Sequence, residues 1–272
     1  MNKDEKIVDD SIRKEIIRRL HAAEIEHDVR ILYACESGSR AWGFASPDSD
    51  YDVRFIYVRK LEWYLSFNVE HRRDVIEYPI VDEIDCNGWD IRKALYLLTR
   101  TNGALLEWLN SPIRYIEKGV FAESLRNIAP SVVNPTALCY HYSHMARGNA
   151  RGYLFKEQVR LKKYFYVLRP LLAIRYIQQG LGIPPVEFER LLEAVAPASL
   201  RPSIDALLAL KRSTGELDSG EKIPEINQFI EQELERHGRS FSGQGRPETS
   251  NKKEIYKQLN QIFRTAIMQD SA

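Results

Sequence analysis

The sequence has no apolar run close to the ~20 residues that a membrane-spanning helix needs. Its first residues, MNKDEKIVDDSIRKEI, are charged throughout, so we expect no secretion signal. Cysteine is sparse: Cys35, Cys86 and Cys139 form no CxxC pair and stand at no zinc-type spacing from histidine. These absences argue against a membrane protein, a disulfide-stapled scaffold and a structural zinc. They predict a cytoplasmic protein with reduced thiols.

An excess of either charge is also missing. The 272 residues carry a formal net charge of +1. Proteins that bind nucleic acid through bulk charge need a clear basic excess, so any such surface must be local here. The length suits one large domain or two modest ones.

The strand pattern is confined to the first part of the chain. A helix is predicted at 9–27, before strands at 29–37, 50–58 and 74–85, the last closed by Gly88. A helical turn is expected at SRAWGF and a helix at 89–100. We therefore predict an N-terminal module at 1–125 in which helices flank a β-sheet.

The remainder of the chain has a helical pattern. Helices are predicted at 135–155, 160–180, 185–195, 202–214, 223–238 and 254–268, with a polar, Gly- and Ser-rich loop at 239–253. An all-helical domain at 126–272 would follow the sheet domain and complete a substrate cleft with it. The predicted fold class is α+β.

Two of the three aspartates in SPDSDYDVRFIYV, Asp50 and Asp52, indicate a possible function. On a strand, Asp50, Asp52 and Arg54 share one face, while Val53 and Phe55 are on the other, packed face. Carboxylates about 7 Å apart along one strand face repel each other unless a cation lies between them. Hard divalent cations, Mg²⁺ above all, bind carboxylate and phosphate oxygens together. The alternative is an acidic turn without a ligand.

A Gly-Ser pair precedes the aspartates at the end of the first strand. Gly38 would let backbone approach a phosphate closely, and the Ser39 hydroxyl adds a donor. Backbone N–H groups at such a bend can hold an anion. Arg40 could contact phosphate or pair with an acidic neighbour, and Trp42 and Phe44 could stack on a base or belong to the core.

The string GSRAWGFASPDSDYDVRFIYV, with Ser39 and Asp50 11 positions apart, resembles the signature of the DNA polymerase β-like nucleotidyltransferase superfamily. Together with GWDIRKALYLL and LLEWLNSP it resembles one branch, the YcgL-like or RlaP family of predicted nucleotidyltransferases linked to RNA-repair operons. These motifs lie within residues 36–112.

The resemblance implies a nucleotidyltransferase-type, five-stranded mixed sheet with helices on one side. It implies transfer of a nucleoside monophosphate from an NTP, with ATP favoured, to a hydroxyl group. Asp50 and Asp52 would bind Mg²⁺ or Mn²⁺, and Gly38, Ser39 and Arg40 would contact the nucleotide. A third carboxylate on a later strand would be a metal ligand and orient or act as the base. We favour Asp85, and the alternatives are Asp82 and Glu83.

A basic, aromatic helix is expected at 160–180. Lys162, Tyr166 and Arg169 fall on one face at i, i+4 and i+7 and would contact the triphosphate or an RNA backbone. The alternative is a solvated basic face. Pro170 is expected to kink this helix.

The sequence does not specify which hydroxyl group accepts the nucleotide. An RNA end in RNA repair is the first candidate, and AMPylation of a protein or small molecule is the second. A non-catalytic nucleotide- or RNA-binding protein and a toxin–antitoxin component are alternatives from other classes.

Overall fold

A computed structural model describes residues 8–154, 158–213, 219–240 and 252–268. It contains a five-stranded sheet in the order β3-β4-β2-β1-β5. β2 and β4 are parallel, and the other neighbouring strands are antiparallel. The predicted mixed sheet is therefore confirmed. Its strands are β1 (Val29–Glu36), β2 (Tyr51–Arg59), β3 (Val75–Glu77), β4 (Ile84–Asp90) and β5 (Arg114–Glu117).

Helices connect and follow the strands. The earlier ones are α1 (Asp10–His27), α2 (Gly38–Trp42), α3 (Leu61–Tyr64), α4 (Ile91–Thr99), α5 (Gly103–Leu109) and α6 (Phe121–Val132). The later ones are α7 (Pro135–Tyr153), α8 (Lys162–Gln178), α9 (Phe188–Val195), α10 (Arg201–Ser213), α11 (Pro224–Ser240) and α12 (Lys252–Met268). β6 (Val159–Arg160) and β7 (Ser219–Gly220) form a short antiparallel pair. Residues 241–251 of the predicted loop at 239–253 lie outside the described residues.

The packed face of β2 lies under α1. Val53, Phe55 and Tyr57 form one buried cluster with Ile16 and Leu20 of α1. Helix α1 begins after Asp9, whose carboxylate accepts a hydrogen bond from the backbone N–H of Ser11, a typical N-cap. Alternation along β2 therefore buries the residues that the sequence assigned to the core.

The opposite face of the sheet is also covered. Trp89 of β4 stacks on Trp108 of α5, with ring centroids 3.7 Å apart. Ile56, which is paired with Trp89, is fully buried. The expectation of helices on one side is therefore wrong. Both sets of alternating side chains are apolar beyond the first residues of β2, so each face needs helices to cover it.

The strand predicted at 74–85 is two strands, and the second runs on to Asp90. Asp82 and Glu83 have φ angles of +52° and +61° and form the turn between them, in a conformation that the sequence did not signal with glycine. Gly88 does not end a strand. A Cβ atom there would lie 2.1 Å from the ring of Phe55, so glycine allows the close approach of two neighbours within the sheet.

Two compact units divide the chain. One consists of residues 1–41, 50–132 and 249–272, and the other of residues 42–49 and 133–248. This division differs from the predicted boundary at 125/126, because α6 and α12 belong to the unit with the sheet. α12 contacts α4, α6 and β2. The position of an amphipathic helix in the sequence does not show which unit its apolar face packs against.

Among the helices that the structure describes, none has the length and apolar character needed to cross a membrane.

Candidate functional site

The carboxylate of Asp52 lies directly against the bend at residues 38–39. Gly38 has a φ of +59°, and a Cβ atom at this position would lie 2.0 Å from Asp52 Oδ2. The backbone N–H of Ser37 donates to the backbone oxygen of Asp52 at 2.8 Å, which fixes the two segments together. Any side chain at position 38 would overlap the carboxylate, so glycine is required here.

Asp50 and Arg40 lie beside this contact. Asp50 directly precedes β2 and is exposed. Its backbone oxygen accepts a hydrogen bond from Arg40 Nε at 3.3 Å. The Arg40 guanidinium lies over the ring of Tyr51, 3.8 Å from the ring centroid. Ser39 and Arg40 are both buried, so these nucleotide-binding candidates are part of a packed bend.

Asp85 is the candidate third carboxylate that lies next to Asp52. The parallel register of β2 and β4 pairs these two residues directly. Asp82 and Glu83 lie in the preceding turn, and Asp82 forms an ion pair with Arg19 of α1 at 2.6 Å. The structure therefore brings Asp52 and Asp85 together and directs Asp82 toward α1.

Arg54 joins the two paired carboxylates. Its Nη2 atom lies 2.8 Å from Asp52 Oδ1 and 2.6 Å from Asp85 Oδ2. Its Nη1 atom donates to the backbone oxygen of Asp85 at 2.9 Å. Asn87 Nδ2 donates to the other Asp85 oxygen at 2.6 Å. Side chains of alternate residues on two parallel strands thus form one hydrogen-bonded group.

The charges of this group act on Asp52. Burial raises the pKa of Asp52 above its usual value, and the nearby carboxylates of Asp85 and Asp50 raise it further. The guanidinium groups of Arg54 and Arg40 act in the opposite direction. The carboxylates of Asp50 and Asp85 therefore both lie close enough to Asp52 to act on its charge.

Glu36 supports the same strand end from β1. It is fully buried and accepts hydrogen bonds from the backbone N–H of Asp52 at 2.8 Å and from the Tyr115 hydroxyl. Burial raises the pKa of Glu36 to about 7, against the effect of both hydrogen bonds. This buried acid holds the backbone that carries Asp52.

The donor chemistry of the site fits a hard divalent cation such as Mg²⁺ or Mn²⁺. Carboxylate oxygens are the ligands these ions prefer, and Asp52 and Asp85 already share a cation, the Arg54 guanidinium. Within the described residues, no three Asp, Glu, His or Cys side chains converge closely enough to hold a metal ion as they stand. A bound ion would therefore require a rearrangement of these side chains.

The basic candidates of α8 belong to the other unit. Arg169 is buried, donates from Nε to the backbone oxygen of Val186 at 3.1 Å and lies over the ring of Trp42. Tyr166 and Lys162 are half-buried. The helix continues through Pro170. The predicted role of these three residues in nucleotide binding stays a prediction.

Lys163 is a further cation of α8, next to Lys162 in the chain. Its Nζ atom lies 4.5 Å from the ring centroid of Tyr153 and 4.6 Å from that of Tyr166. Burial and the positive charges of Lys162 and Arg160 lower its pKa. Mutual repulsion of clustered cations is typical of a surface that binds anions.

Two aromatic candidates also lie in this unit. Phe44 is buried and stacks on Phe165, with ring centroids 4.9 Å apart, so it belongs to the core. Trp42 is half-buried and contacts Tyr166 edge-to-face at 5.3 Å.

Sequence reasoning missed Glu36 and Asn87, and it noted Arg54 only as a neighbour of the aspartates. A charged residue that closes the apolar strand VRILYACE was the available signal for Glu36. Asn87 gives none, because the predicted strand ends at residue 85.

A family model described as RNA repair pathway DNA polymerase beta family, RlaP, matches residues 12–265. The chain belongs to the RlaP family. It is 46% identical over 253 residues to the uncharacterized protein YcgL of Bacillus subtilis (strain 168), covering 93% of this chain and 95% of that protein. A solved nucleotidyltransferase-like protein from Exiguobacterium sibiricum 255-15 matches 92% of this chain and 89% of its own at 10% identity and a TM-score of 0.30, which carries no argument.

Membership of the RlaP family confirms the resemblance found in the sequence. It makes the protein nucleotidyltransferase-like and a member of the polymerase β superfamily. The match extends over both compact units, so the helical part belongs to the RlaP pattern as much as the sheet does.

Proposed function

We propose that the protein transfers a nucleoside monophosphate from an NTP to a hydroxyl group and releases pyrophosphate. One observation carries the proposal: the Asp52 carboxylate touches the Gly38 bend and faces Asp85 across two parallel strands. This combines a candidate phosphate-binding bend with a carboxylate pair, which is what a phosphoryl-transfer site needs.

Each residue would have a distinct task in this reaction. Gly38 and Ser39 would hold the phosphates, and Asp50 and Asp52 would hold the divalent ions. Those ions would neutralise charge on the phosphate oxygens. The acceptor oxygen would bond to the α-phosphorus as the bond from that phosphorus to the bridging oxygen breaks. Asp85 would take the hydroxyl proton, and pyrophosphate would leave.

An RNA end is the acceptor that we favour. The description of the matching family names an RNA repair pathway. The net charge of +1 means that a local surface has to bind the RNA backbone. We propose that Lys162 and Tyr166 of α8 contribute to it, and Lys163 belongs to the same cluster. Arg169 is buried against Trp42, so we propose that it supports this surface from beneath. AMPylation of a protein or a small molecule would use the same transfer chemistry with another hydroxyl.

A labelling experiment tests the transfer. The full-length protein is incubated with each α-³²P-labelled NTP, Mg²⁺ or Mn²⁺, and RNA with defined 5′ and 3′ ends, a protein extract or small-molecule hydroxyl compounds. We expect label on RNA and release of pyrophosphate, with ATP as the preferred donor. Label on a protein or small molecule would replace the RNA acceptor. A lack of metal-dependent pyrophosphate release in every mixture would contradict the proposal and favour a binding protein.

Substitutions of single acids test which carboxylates take part in the transfer. We expect Asp52→Asn and Asp85→Asn to lower transfer by at least about a thousandfold, because each removes a carboxylate that acts in the transition state. Asp82→Asn is the matched control, since this acid lies in the neighbouring turn and pairs with Arg19. Full activity of Asp52→Asn would contradict the assignment of the site.

A further inference from the structure

Arg54 is held on its strand by its neighbours. Its side chain is 16% exposed, and its Nη1 atom donates to the backbone oxygens of Val53 at 3.1 Å and Asp85 at 2.9 Å. Its Nη2 atom reaches both carboxylates, at 2.8 Å for Asp52 and 2.6 Å for Asp85. A single guanidinium therefore occupies the space that joins the two acids.

A divalent ion bound by Asp52 would compete with this guanidinium for that carboxylate. Two cations at one carboxylate repel each other, and partial burial strengthens the repulsion. We infer, resting on the function proposed above, that Arg54 is a resident competitor of the divalent ion. It is a positioning residue that keeps Asp52 and Asp85 together in the metal-free protein and releases one of them when the ion binds.

The contacts indicate which acid is released. Arg54 is bonded to Asp85 twice, through the carboxylate and the backbone oxygen, but to Asp52 only once, at 2.8 Å against 2.6 Å for the Asp85 carboxylate. The other oxygen of Asp52, Oδ2, already lies against Gly38. Asp52 is thus the carboxylate that is freed to bind an ion beside the bend, while Arg54 stays with Asp85.

Mn²⁺ binding to the full-length protein without nucleotide tests this inference. Arg54→Gln removes the charge but keeps an amide donor on a shorter side chain. We expect it to bind Mn²⁺ at least about tenfold more tightly than the wild type, because the competing charge is gone. Titration calorimetry or electron paramagnetic resonance of free Mn²⁺ measures the affinity. The melting temperature of this variant without Mn²⁺ should fall, since Asp52 and Asp85 then repel each other.

Two further variants separate charge competition from a structural role. Arg59→Gln removes another half-buried arginine of β2, which donates to the backbone oxygen of His27, and we expect unchanged Mn²⁺ affinity. Arg54→Lys keeps the charge, and we expect an affinity within about threefold of the wild type. Tighter binding by Arg54→Lys would overturn the inference, even if Arg54→Gln failed to fold.

The remaining outcomes of the Mn²⁺ titration have different consequences for the inference and for the proposed function. Unchanged or weaker Mn²⁺ binding by a folded Arg54→Gln protein would overturn the inference alone. Failure of every protein to bind Mn²⁺ without nucleotide would overturn this inference but not the proposed transfer, in which the triphosphate supplies further ligands to the ion.

Discussion

At the scale of single residues, the site depends on the close approach of the Asp52 carboxylate to Gly38. The carboxylate takes the space that a side chain at position 38 would need. We expect Gly38→Ala to lower the free energy of unfolding by about 1–3 kcal/mol, because φ is positive and the new methyl group overlaps Asp52. Transfer activity should also fall, since the new methyl group displaces the Asp52 carboxylate.

Gly148→Ala is the matched control for that substitution. Gly148 lies within α7, and a Cβ atom there would meet nothing within 4 Å. We expect it to raise the free energy of unfolding by about 0.5–1 kcal/mol. Urea denaturation measures both variants. A Gly38→Ala protein with wild-type stability and activity would contradict the close approach.

The buried acid Glu36 makes stability depend on pH. Its pKa is about 7 in the folded protein and ordinary in the unfolded chain. The folded state therefore binds more protons between about pH 4.5 and pH 7, so the free energy of unfolding should decrease as pH rises through this window, by roughly 3 kcal/mol from Glu36. Asp90, whose pKa burial raises to about 6, contributes in the same direction.

Glu36→Gln tests this dependence. Glutamine keeps an acceptor for the Asp52 N–H and is never charged, so the slope between pH 5 and pH 7 should become shallower. Urea denaturation at pH 5, 6, 7 and 8 measures it. An equal slope in the variant and the wild type would show that Glu36 is not the titrating group.

At the residue scale, the sequence predicted which side chains share a strand face, but not which residues from different strands are bonded to each other. The period of two in a strand predicted that Asp52 and Arg54 share a face, and the hydrogen bond between them agrees. It could not predict that Arg54 reaches Asp85, because that contact depends on the register of a strand 31 positions away in the chain. For Glu36 the only signal is a charge at the end of an apolar strand, because its burial and its hydrogen bond to the Asp52 N–H depend on the tertiary structure.

At the scale of elements, the site depends on the register of β2 against β4. Gly88 of β4 and Phe55 of β2 are paired, and the ring of Phe55 passes over the glycine. We expect Gly88→Ala to cost about 1–3 kcal/mol in the free energy of unfolding, because the methyl group has no space. Phe55→Leu in the same chain should recover part of that loss, and a double-mutant cycle by urea denaturation measures the coupling. Strict additivity would contradict the contact.

The elements also show where sequence patterns fail. β1, β2 and α1 were predicted within one or two residues, since each has a clear period and a capping or turn signal. The hairpin between β3 and β4 was missed, because Asp82 and Glu83 adopt positive φ angles without glycine. The sequence pattern predicts the end of a strand at Gly88, although the glycine is the point where β2 and β4 approach closely.

At the scale of the whole molecule, the last helix belongs to the unit that carries the acids. Leu259 of α12 is 4% exposed, and the helix contacts α4, α6 and β2. We expect Leu259→Ala to lower the free energy of unfolding by about 2–5 kcal/mol. Hydrogen exchange should show the loss of protection in α4 and β2.

Lys257→Ala on the same helix is the control. The side chain of Lys257 is 80% exposed, so we expect a change within about 0.5 kcal/mol. Unaltered protection of α4 and β2 in Leu259→Ala would contradict the assignment of α12 to this unit. The sequence predicted this helix and its apolar face but not its partner, which only the tertiary structure defines.

The most direct test of the central claim is the position of the divalent ion. Crystals of the wild-type protein grown with Mn²⁺ and a non-hydrolysable NTP would reveal it by anomalous diffraction. We predict a peak bound by Asp50 and Asp52 and by the triphosphate beside Gly38, with Asp85 facing the α-phosphorus. Mn²⁺ and triphosphate bound elsewhere, with Asp52 still bonded to Arg54, would contradict it.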